Sequence, residues 1–270
     1  MNLAPDGRLR IGIVPYLNTR PLTECLPEVL PEAQLVVDVP SRLAKALAYG
    51  SLDVGIVPVV EWFRHPEWQL VSDACIACRG PVRSVRLFGR KAPENLRMLA
   101  VDEASRTSVA LSRILLAERF GSYPTQVPLP LKDSPESSSA DGVLLIGDRA
   151  MSASEQGWHF VWDLGAEWNR WTGLPFVFAV WLARPEVPVG PLHELFACAR
   201  DAGFARLAEI AADHAPRIGW TAAECQAYLQ ENLWFHLDEE ARRGLELFRK
   251  FVKKHNLGHP SPPDSPQELR

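Results

Sequence analysis

Short apolar runs alternate with helical stripes over the first part of the chain. Residues 11–14 and 53–57 are brief, continuous and rich in β-branched side chains, which is typical of buried strands. Between them Ser41 can cap a helix whose apolar positions recur at helical spacing, and Gly50 lies just beyond its last turn. Strand, helix and strand in this order predict βαβ units and a parallel sheet.

A second series of strands and helices follows. Residues 98–101 and 142–146 are apolar runs that each end in a polar loop, and the first of these loops leads into a helix that should stop near Gly121. From about residue 190 the pattern becomes helical. The predicted helices there cover residues 192–214, 221–233 and 239–255.

Two α/β units in series predict two lobes, each built on a twisted sheet, with a ligand cleft between them where the strands end. The chain of such folds usually crosses between the lobes twice. We therefore assign residues 1–90 and 185–258 to lobe I and residues 91–184 to lobe II. Residues 259–270 contain four prolines, which predicts a disordered tail.

Composition and charge narrow the function. The 270 residues are 47% apolar and 23% charged, as in ordinary globular proteins, and a formal net charge of −4 argues against nucleic acid as a partner. No segment reaches the roughly 20 apolar residues of a membrane span, and the apolar run at residues 11–14 is too short for a signal peptide. The five cysteines show no framework-like spacing, which fits a reducing compartment. We expect a cytoplasmic protein with neither nucleic acid nor membrane as a partner.

The strongest candidate for ligand binding is a polar stretch where a strand becomes a helix. Backbone amides at a helix start attract anions, and hydroxyls and a guanidinium add donors for a carboxylate. The alternative is that Ser105 is only a helix cap. The stretch consists of Ser105, Arg106, Thr107 and Ser108.

Three further candidates lie at strand ends. Asn18 follows the first strand, where open α/β sheets bind ligands, although an asparagine in a loop is also a common turn residue. Gly147 and Asp148 end another buried strand, where Asp148 and Arg149 could instead form a structural ion pair. Ser84 begins a strand that could line the same cleft.

Familiar metal and cofactor motifs are absent from the sequence. The seven histidines neither cluster nor show His-Glu-x-x-His spacing, and there is no glycine-rich phosphate loop and no Gly-x-Ser-x-Gly elbow. Cys75 and Cys78 have the spacing of redox motifs, but they lie in a strand-like run without a second pair, which favours core packing. We expect no metal and no cofactor.

Six stretches in a common order carry a family resemblance. They are residues 10–22 (RIGIVPYLNTRPL), 53–61 (DVGIVPVVE), 80–85 (GPVRSV), 105–111 (SRTSVAL), 147–150 (GDRA) and 171–181 (WTGLPFVFAVW). Together they resemble the chorismate dehydratases of the futalosine route to menaquinone. Each stretch alone is weak evidence for the family. Their occurrence together in the same order over about residues 10–185 makes the resemblance specific.

The resemblance implies a type II periplasmic-binding-protein-like fold with twisted mixed sheets. It also implies a lyase that dehydrates chorismate to 3-[(1-carboxyvinyl)oxy]benzoate without a cofactor. In that family the enolpyruvyl carboxylate of the substrate serves as the base, and the asparagine corresponding to Asn18 is the side chain on which catalysis most depends. Ser105 to Ser108 and Ser84 would then hold carboxylates, and Asp148 a hydroxyl.

Two other functions stay open. The sister family that makes 1,4-dihydroxy-6-naphthoate later in the same pathway has the same fold. It carries a catalytic histidine in a stretch comparable to Gly147 and Asp148, and this chain lacks it. A small-acid-binding protein without catalysis would also suit the fold, because fold does not fix function. The sequence leaves a homodimer open.

Overall fold

The computed structural model describes residues 7–258, so the predicted disordered tail at residues 259–270 lies outside the described residues. Short strands alternate with helices along this range. The strands are β1 (Arg10–Ile13), β2 (Gln34–Val37), β3 (Val54–Pro58), β4 (Gln69–Cys78), β5 (Val85–Gly89), β6 (Met98–Asp102), β7 (Thr125–Leu129), β8 (Gly142–Ile146), β9 (Phe160–Asp163), β10 (Phe176–Ala183) and β11 (Trp234–His236).

The helices flank these strands and dominate the last third of the chain. Within the described range, none of them is both long enough and apolar enough to cross a membrane. They are α1 (Arg20–Thr23), α2 (Leu26–Val29), α3 (Pro40–Ala48), α4 (Val59–Arg64), α5 (Thr107–Phe120), α6 (Gly147–Ser152), α7 (Leu164–Thr172), α8 (Gly190–Ala205), α9 (Leu207–Ile218), α10 (Ala222–Ala227) and α11 (Glu239–Lys254).

The strands form two mixed sheets. The first sheet has the order β11-β4-β10-β3-β1-β2, in which β1 runs parallel to β2 and β3 while β10 runs antiparallel to β3 and β4. The second has the order β7-β6-β8-β5-β9, in which β6 runs parallel to β7 and β8 while β5 is antiparallel to β8 and β9. The α/β architecture with two mixed sheets is therefore confirmed.

The two crossings between the sheets are short. The chain leaves the first sheet after Cys78 and enters the second at Val85, then leaves the second after Asp163 and re-enters the first at Phe176. Hydrogen-bonded strands belong to one folding unit, so strand pairing favours dividing the lobes at these crossings. The lobe boundaries expected after residues 90 and 184 would then move to earlier positions in the chain, between Cys78 and Val85 and between Asp163 and Phe176. The division into lobes stays a proposal.

The helical end differs from its prediction in two places. The helix expected over residues 192–214 ends at Ala205, and a new helix begins at Leu207. The helix expected over residues 221–233 is also interrupted, because α10 passes into a π turn at Tyr228–Asn232 before strand β11. Its start is as predicted, with a reciprocal capping box between Thr221 and Glu224.

A buried ion pair aligns β1 with β3. Both carboxylate oxygens of Asp53, which is fully buried, accept from Arg10: Nε lies 3.0 Å from Oδ2, and Nη2 lies 2.7 Å from Oδ1. Burial raises the pKa of the Asp53 carboxyl, but the hydrogen bonds and charge of Arg10 outweigh burial and hold the pKa below its usual range. The fork helps to fix the register of the strand that leads to Asn18.

Candidate active site

An inner cavity of about 60 Å³ lies between the two sheets, where several strand ends meet. Its walls are mostly apolar, with Ile56, Ile76 and Phe178 among them. The predicted site residues that line it are Asn18, Ser84, Ser105, Arg106, Thr107, Ser108 and Gly147. The structure therefore brings together every predicted site residue except Asp148.

Strand direction explains this convergence. Asn18 follows β1, Ser105 follows β6 and Gly147 follows β8. Ser84 instead precedes β5, and because β5 is antiparallel to β8, the start of β5 lies beside the end of β8, with Val85 opposite Ile146. The side chains thus meet at one edge, although the sequence positions look unrelated.

Three polar atoms around this cavity lack partners. Asn18 Oδ1, Ser84 Oγ and Ser105 Oγ are each buried without a hydrogen bond to any of residues 7–258. Leaving a buried polar atom unpaired costs about 1–3 kcal/mol, so native proteins rarely do so without a reason. Hydrogen bonds from a polar ligand would remove that cost.

Hydrogen bonds from the Thr19 hydroxyl stabilise the turn that carries Asn18. Residues Leu17–Thr19 form a 3₁₀ turn, and Oγ1 of Thr19 lies 2.6 Å from the carbonyl oxygen of Val14 and 2.7 Å from that of Tyr16. The Leu17 side chain is fully buried below the turn. The amide of Asn18 is thereby presented to the cavity by a fixed backbone.

Helix α5 does not begin with Ser105 as its cap, which was the alternative considered from the sequence. The helix begins at Thr107 and Arg106 occupies the cap position, where its side chain makes no capping hydrogen bond to the first turn in the described structure. Ser105 is therefore not a helix cap. Thr107 Oγ1 accepts from the backbone N–H of Val60 on the other side of the cleft, at 3.3 Å. The first-turn amides of this 14-residue helix favour an anion at this end.

The two predicted site residues after β8, Gly147 and Asp148, have different surroundings. Gly147 has a positive φ of 61°, and a Cβ built on it would lie 2.8 Å from Cδ2 of Tyr16. Asp148 does not line the cavity. Its Oδ1 accepts from the N–H of Leu17 at 3.1 Å, and its Oδ2 lies 3.1 Å from Nε2 of His214. A substrate contact by Asp148 stays a prediction that this geometry does not favour.

Arg149 also lies outside the cavity. It pairs with the buried Asp102 at 3.0 Å and donates to the carbonyl oxygen of Asp133 at 2.7 Å. Burial raises the pKa of the Asp102 carboxyl, although the charge of Arg149 acts in the opposite direction. The Asp148–Arg149 ion pair considered from the sequence is therefore wrong: Arg149 pairs with Asp102, and Asp148 contacts His214.

A larger outer basin of about 590 Å³ adjoins the inner cavity, and Ser105 and Arg106 line both. The basin carries a surplus of positive charge, with Asp102 and Glu103 as its acidic lining residues. The basic residues that line it are Arg42, Lys45, Arg64, Arg106 and Arg113. They come from α3, α4 and the start and body of α5, which are far apart in the sequence, so no local sequence signal could have grouped all five.

A buried tyrosine near Ser84, Tyr228, was not identified from the sequence. Tyr228 stands at the start of the π turn, and burial raises the pKa of its hydroxyl. Ser84 lies near enough to act on this pKa, yet neither hydroxyl has a well-formed hydrogen bond within residues 7–258. The hydroxyls of Ser84 and Tyr228 therefore both retain hydrogen-bonding capacity on this side of the cavity.

Cys75 and Cys78 are buried, free thiols in β4, as the packing interpretation predicted. Burial raises the pKa of the Cys78 thiol to about 12, which keeps it protonated at neutral pH. Among residues 7–258, no three His, Cys, Asp or Glu side chains converge as a metal site would require. The absence of a metal from the reaction stays a prediction.

Comparison with known proteins bears on what this cavity binds. A family model described as menaquinone biosynthesis matches residues 9–254. The chain belongs to the menaquinone biosynthesis family. A chorismate dehydratase of Thermus thermophilus is 35% identical over 262 residues, which cover 88% of this chain and 93% of the relative. A chorismate dehydratase of Campylobacter jejuni is 30% identical over 174 residues, which cover 62% of this chain and 64% of the relative.

Solved structures show the fold of this family member. Protein AF1704 of Archaeoglobus fulgidus superposes with a TM-score of 0.74 at 14% identity, covering 93% of this chain and 98% of its own. The periplasmic aliphatic sulphonate binding protein SsuA of Escherichia coli gives a TM-score of 0.58 at 15% identity, covering 97% and 94%. The periplasmic-binding-protein-like fold is thus confirmed. Because this fold occurs with different functions, the choice between catalysis and simple binding depends on the site residues.

Proposed function

We propose that this chain dehydrates chorismate to 3-[(1-carboxyvinyl)oxy]benzoate. The observation that carries the proposal is the set of unpartnered polar atoms on Asn18, Ser84 and Ser105 around one apolar cavity between the lobes. The family and its chorismate dehydratase relatives support this substrate. The futalosine route, which rests on the resemblance, and a cytoplasmic location, which rests on the short apolar runs and the cysteine spacing, also belong to the proposal.

The cavity favours a base that arrives with the substrate. Among the described residues that line it, only Tyr16 and Arg106 are titratable. Burial, followed by the charges of Asp102 and Asp148, raises the pKa of the Tyr16 hydroxyl, so the phenol stays neutral at physiological pH. The guanidinium of arginine carries hydrogen-bond donors and no acceptor. Neither side chain is a base at neutral pH, which supports proton abstraction by the substrate's own enolpyruvyl carboxylate.

The reaction balances without an external reagent. The ring proton next to the departing hydroxyl passes to the enolpyruvyl carboxylate, and the C–H electron pair enters the ring. The hydroxyl leaves and, with that proton, completes one water molecule. Because the product ring is aromatic, the reaction is strongly downhill, and the protein has mainly to position the groups.

Asn18 is the side chain best placed for this positioning. Its amide can accept a hydrogen bond from the departing hydroxyl or donate one to the attacking carboxylate, and it needs no tuned pKa for either role. The turn around it is fixed by Thr19, so the amide is oriented before substrate arrives. Pre-organisation of this kind lowers the barrier without a titrating residue.

Both carboxylates of the dianionic substrate have donors within reach of the cleft. The start of α5 offers backbone amides together with the hydroxyls of Ser105 and Ser108. The outer basin adds positive charge at the entrance. Since about 60 Å³ holds only a few water molecules, substrate entry requires the lobes to separate.

The basin predicts an electrostatic effect on substrate capture. Arg113 is exposed on α5 at the basin wall, and Arg113→Glu is expected to lower kcat/KM for chorismate about fivefold at low salt, with kcat nearly unchanged. Salt screens such fields, so the difference should shrink as ionic strength rises. Arg97→Glu, an equal charge reversal at the opposite end of β6, is the control. Equal losses in both variants would contradict steering by the basin.

The proposed activity is tested by incubating purified protein with chorismate and a metal chelator. We expect a product lighter by one water with the absorbance of a substituted benzoate. Unchanged chorismate at high protein concentration would remove the dehydratase proposal and favour a small-acid-binding protein. The sister reaction is disfavoured because Gly147 and Asp148 stand where that family has its histidine.

A further inference from the structure

We propose that Asp148 and His214 form a positioning pair that holds the Asn18 turn in its reactive orientation. This inference rests on the proposed function and assigns Asp148 a role that does not involve touching the substrate. It also brings α9, a helix outside both sheets, into the reaction through His214.

The contacts form a continuous path to the turn. Asp148 Oδ1 accepts from the backbone N–H of Leu17, the residue before Asn18, at 3.1 Å. Asp148 Oδ2 lies 3.1 Å from Nε2 of His214, whose side chain is 4% exposed. A carboxylate held on one oxygen by a buried ring presents the other oxygen in one direction. That direction orients the N–H of Leu17, and with it the plane of the Tyr16–Leu17 peptide that leads into the Asn18 turn.

The same segment also fixes the opposite wall of the cavity. The N–H of Gly147 donates to the carbonyl oxygen of Ser84 at 2.8 Å, and the ring of Tyr16 packs against the Gly147 backbone. Gly147 and Asp148 therefore contact Tyr16 and Leu17, the two residues before Asn18, and Ser84, which lines the same cavity as Asn18. A shift of this segment would change the distance between Asn18 and Ser84.

Direct substrate binding by Asp148 is the weaker alternative. Both of its oxygens already have protein partners, and it does not line the inner cavity. Its negative charge would also repel a dianionic substrate at contact distance.

The test uses variants of the full-length chain and separates kcat from KM. Asp148→Ala removes both contacts, and we expect kcat for chorismate to fall about 30-fold while KM changes less than about threefold. Asp148→Asn keeps a carbonyl acceptor for the Leu17 amide and should recover most of that loss. His214→Ala should lower kcat about tenfold, and His214→Gln, which retains a donor, should restore part of it.

Coupling to Asn18 distinguishes positioning from a general structural role. If Asp148 acts through Asn18, adding Asp148→Ala to an Asn18→Ala background should lower kcat less than about twofold further. The matched control is the pair formed by His255 Nε2 and Glu118 Oε1, 2.5 Å apart, which joins α11 to α5 away from the Asn18 turn. Glu118→Ala is expected to lower stability but to leave kcat unchanged.

Amide hydrogen exchange provides a readout that needs no turnover. Loss of Asp148 should speed exchange at the Leu17 amide at least about tenfold, whereas Glu118→Ala should not. An unchanged Leu17 amide and an unchanged kcat in Asp148→Ala would overturn the positioning pair. If the wild-type protein does not convert chorismate, the proposed function fails, and the exchange measurement still decides whether Asp148 holds the turn.

Discussion

Asn18→Ala is expected to lower kcat for chorismate about 100- to 1,000-fold while leaving affinity within about threefold. Removal of one pre-organised hydrogen-bonding group from a site that develops charge typically costs this much. The affinity should persist because the start of α5, which holds a carboxylate in this proposal, and the positive charge of the basin at the entrance are untouched. Steady-state kinetics and calorimetric titration with chorismate measure the two quantities.

The control for this prediction is another asparagine outside the cavity. Asn169 in α7 donates from its amide to the carbonyl oxygen of Leu174 at 3.3 Å, and Asn169→Ala should leave kcat within about twofold of wild type. A normal kcat in Asn18→Ala, or an equal loss in both variants, would refute the role of the Asn18 amide.

Gly147→Ala is expected to lower kcat about 100-fold and to destabilise the fold. The φ of 61° alone costs an alanine about 1–2 kcal/mol. The added Cβ would also lie 2.8 Å from the ring of Tyr16, which must move and take the neighbouring Asn18 turn with it. A displacement of about 1 Å in the reacting groups can account for the loss of rate. Kinetics combined with chemical denaturation checks both effects.

Gly121 offers a matched control for backbone strain. Its φ is 59°, close to that of Gly147, but a Cβ built on it meets no described atom within 4 Å. Gly121→Ala should therefore cost similar backbone strain without changing kcat. If it lowered kcat as much as Gly147→Ala, the loss could not be attributed to the contact with Tyr16.

The sequence predicted most of the candidate site because parallel strands end at one edge of a sheet. Asn18, Ser105 and Gly147 follow strands whose apolar character was plain, so their convergence needed only the α/β topology. Asp148 shows the limit of this argument. Whether a residue after a strand faces the cavity depends on the local backbone, and the positive φ at Gly147 is not encoded in a hydrophobic pattern.

Long-range contacts explain the other omissions. His214 lies 66 residues after Asp148 on a helix that looked purely structural, and only the tertiary fold brings them together. The basic residues of the outer basin are similarly dispersed. Strand β11 has only three residues, which is too short for an alternating pattern to be recognised.

The most direct test of the central claim is a single-turnover experiment with protein in excess over chorismate and a chelator present. We expect wild-type protein to convert bound chorismate fully to an aromatic enolpyruvyl ether lighter by one water. We expect Asn18→Ala to bind chorismate but to convert it at least about 100-fold more slowly. Recovery of intact chorismate from wild-type protein that has bound it would contradict the account and leave a binding protein.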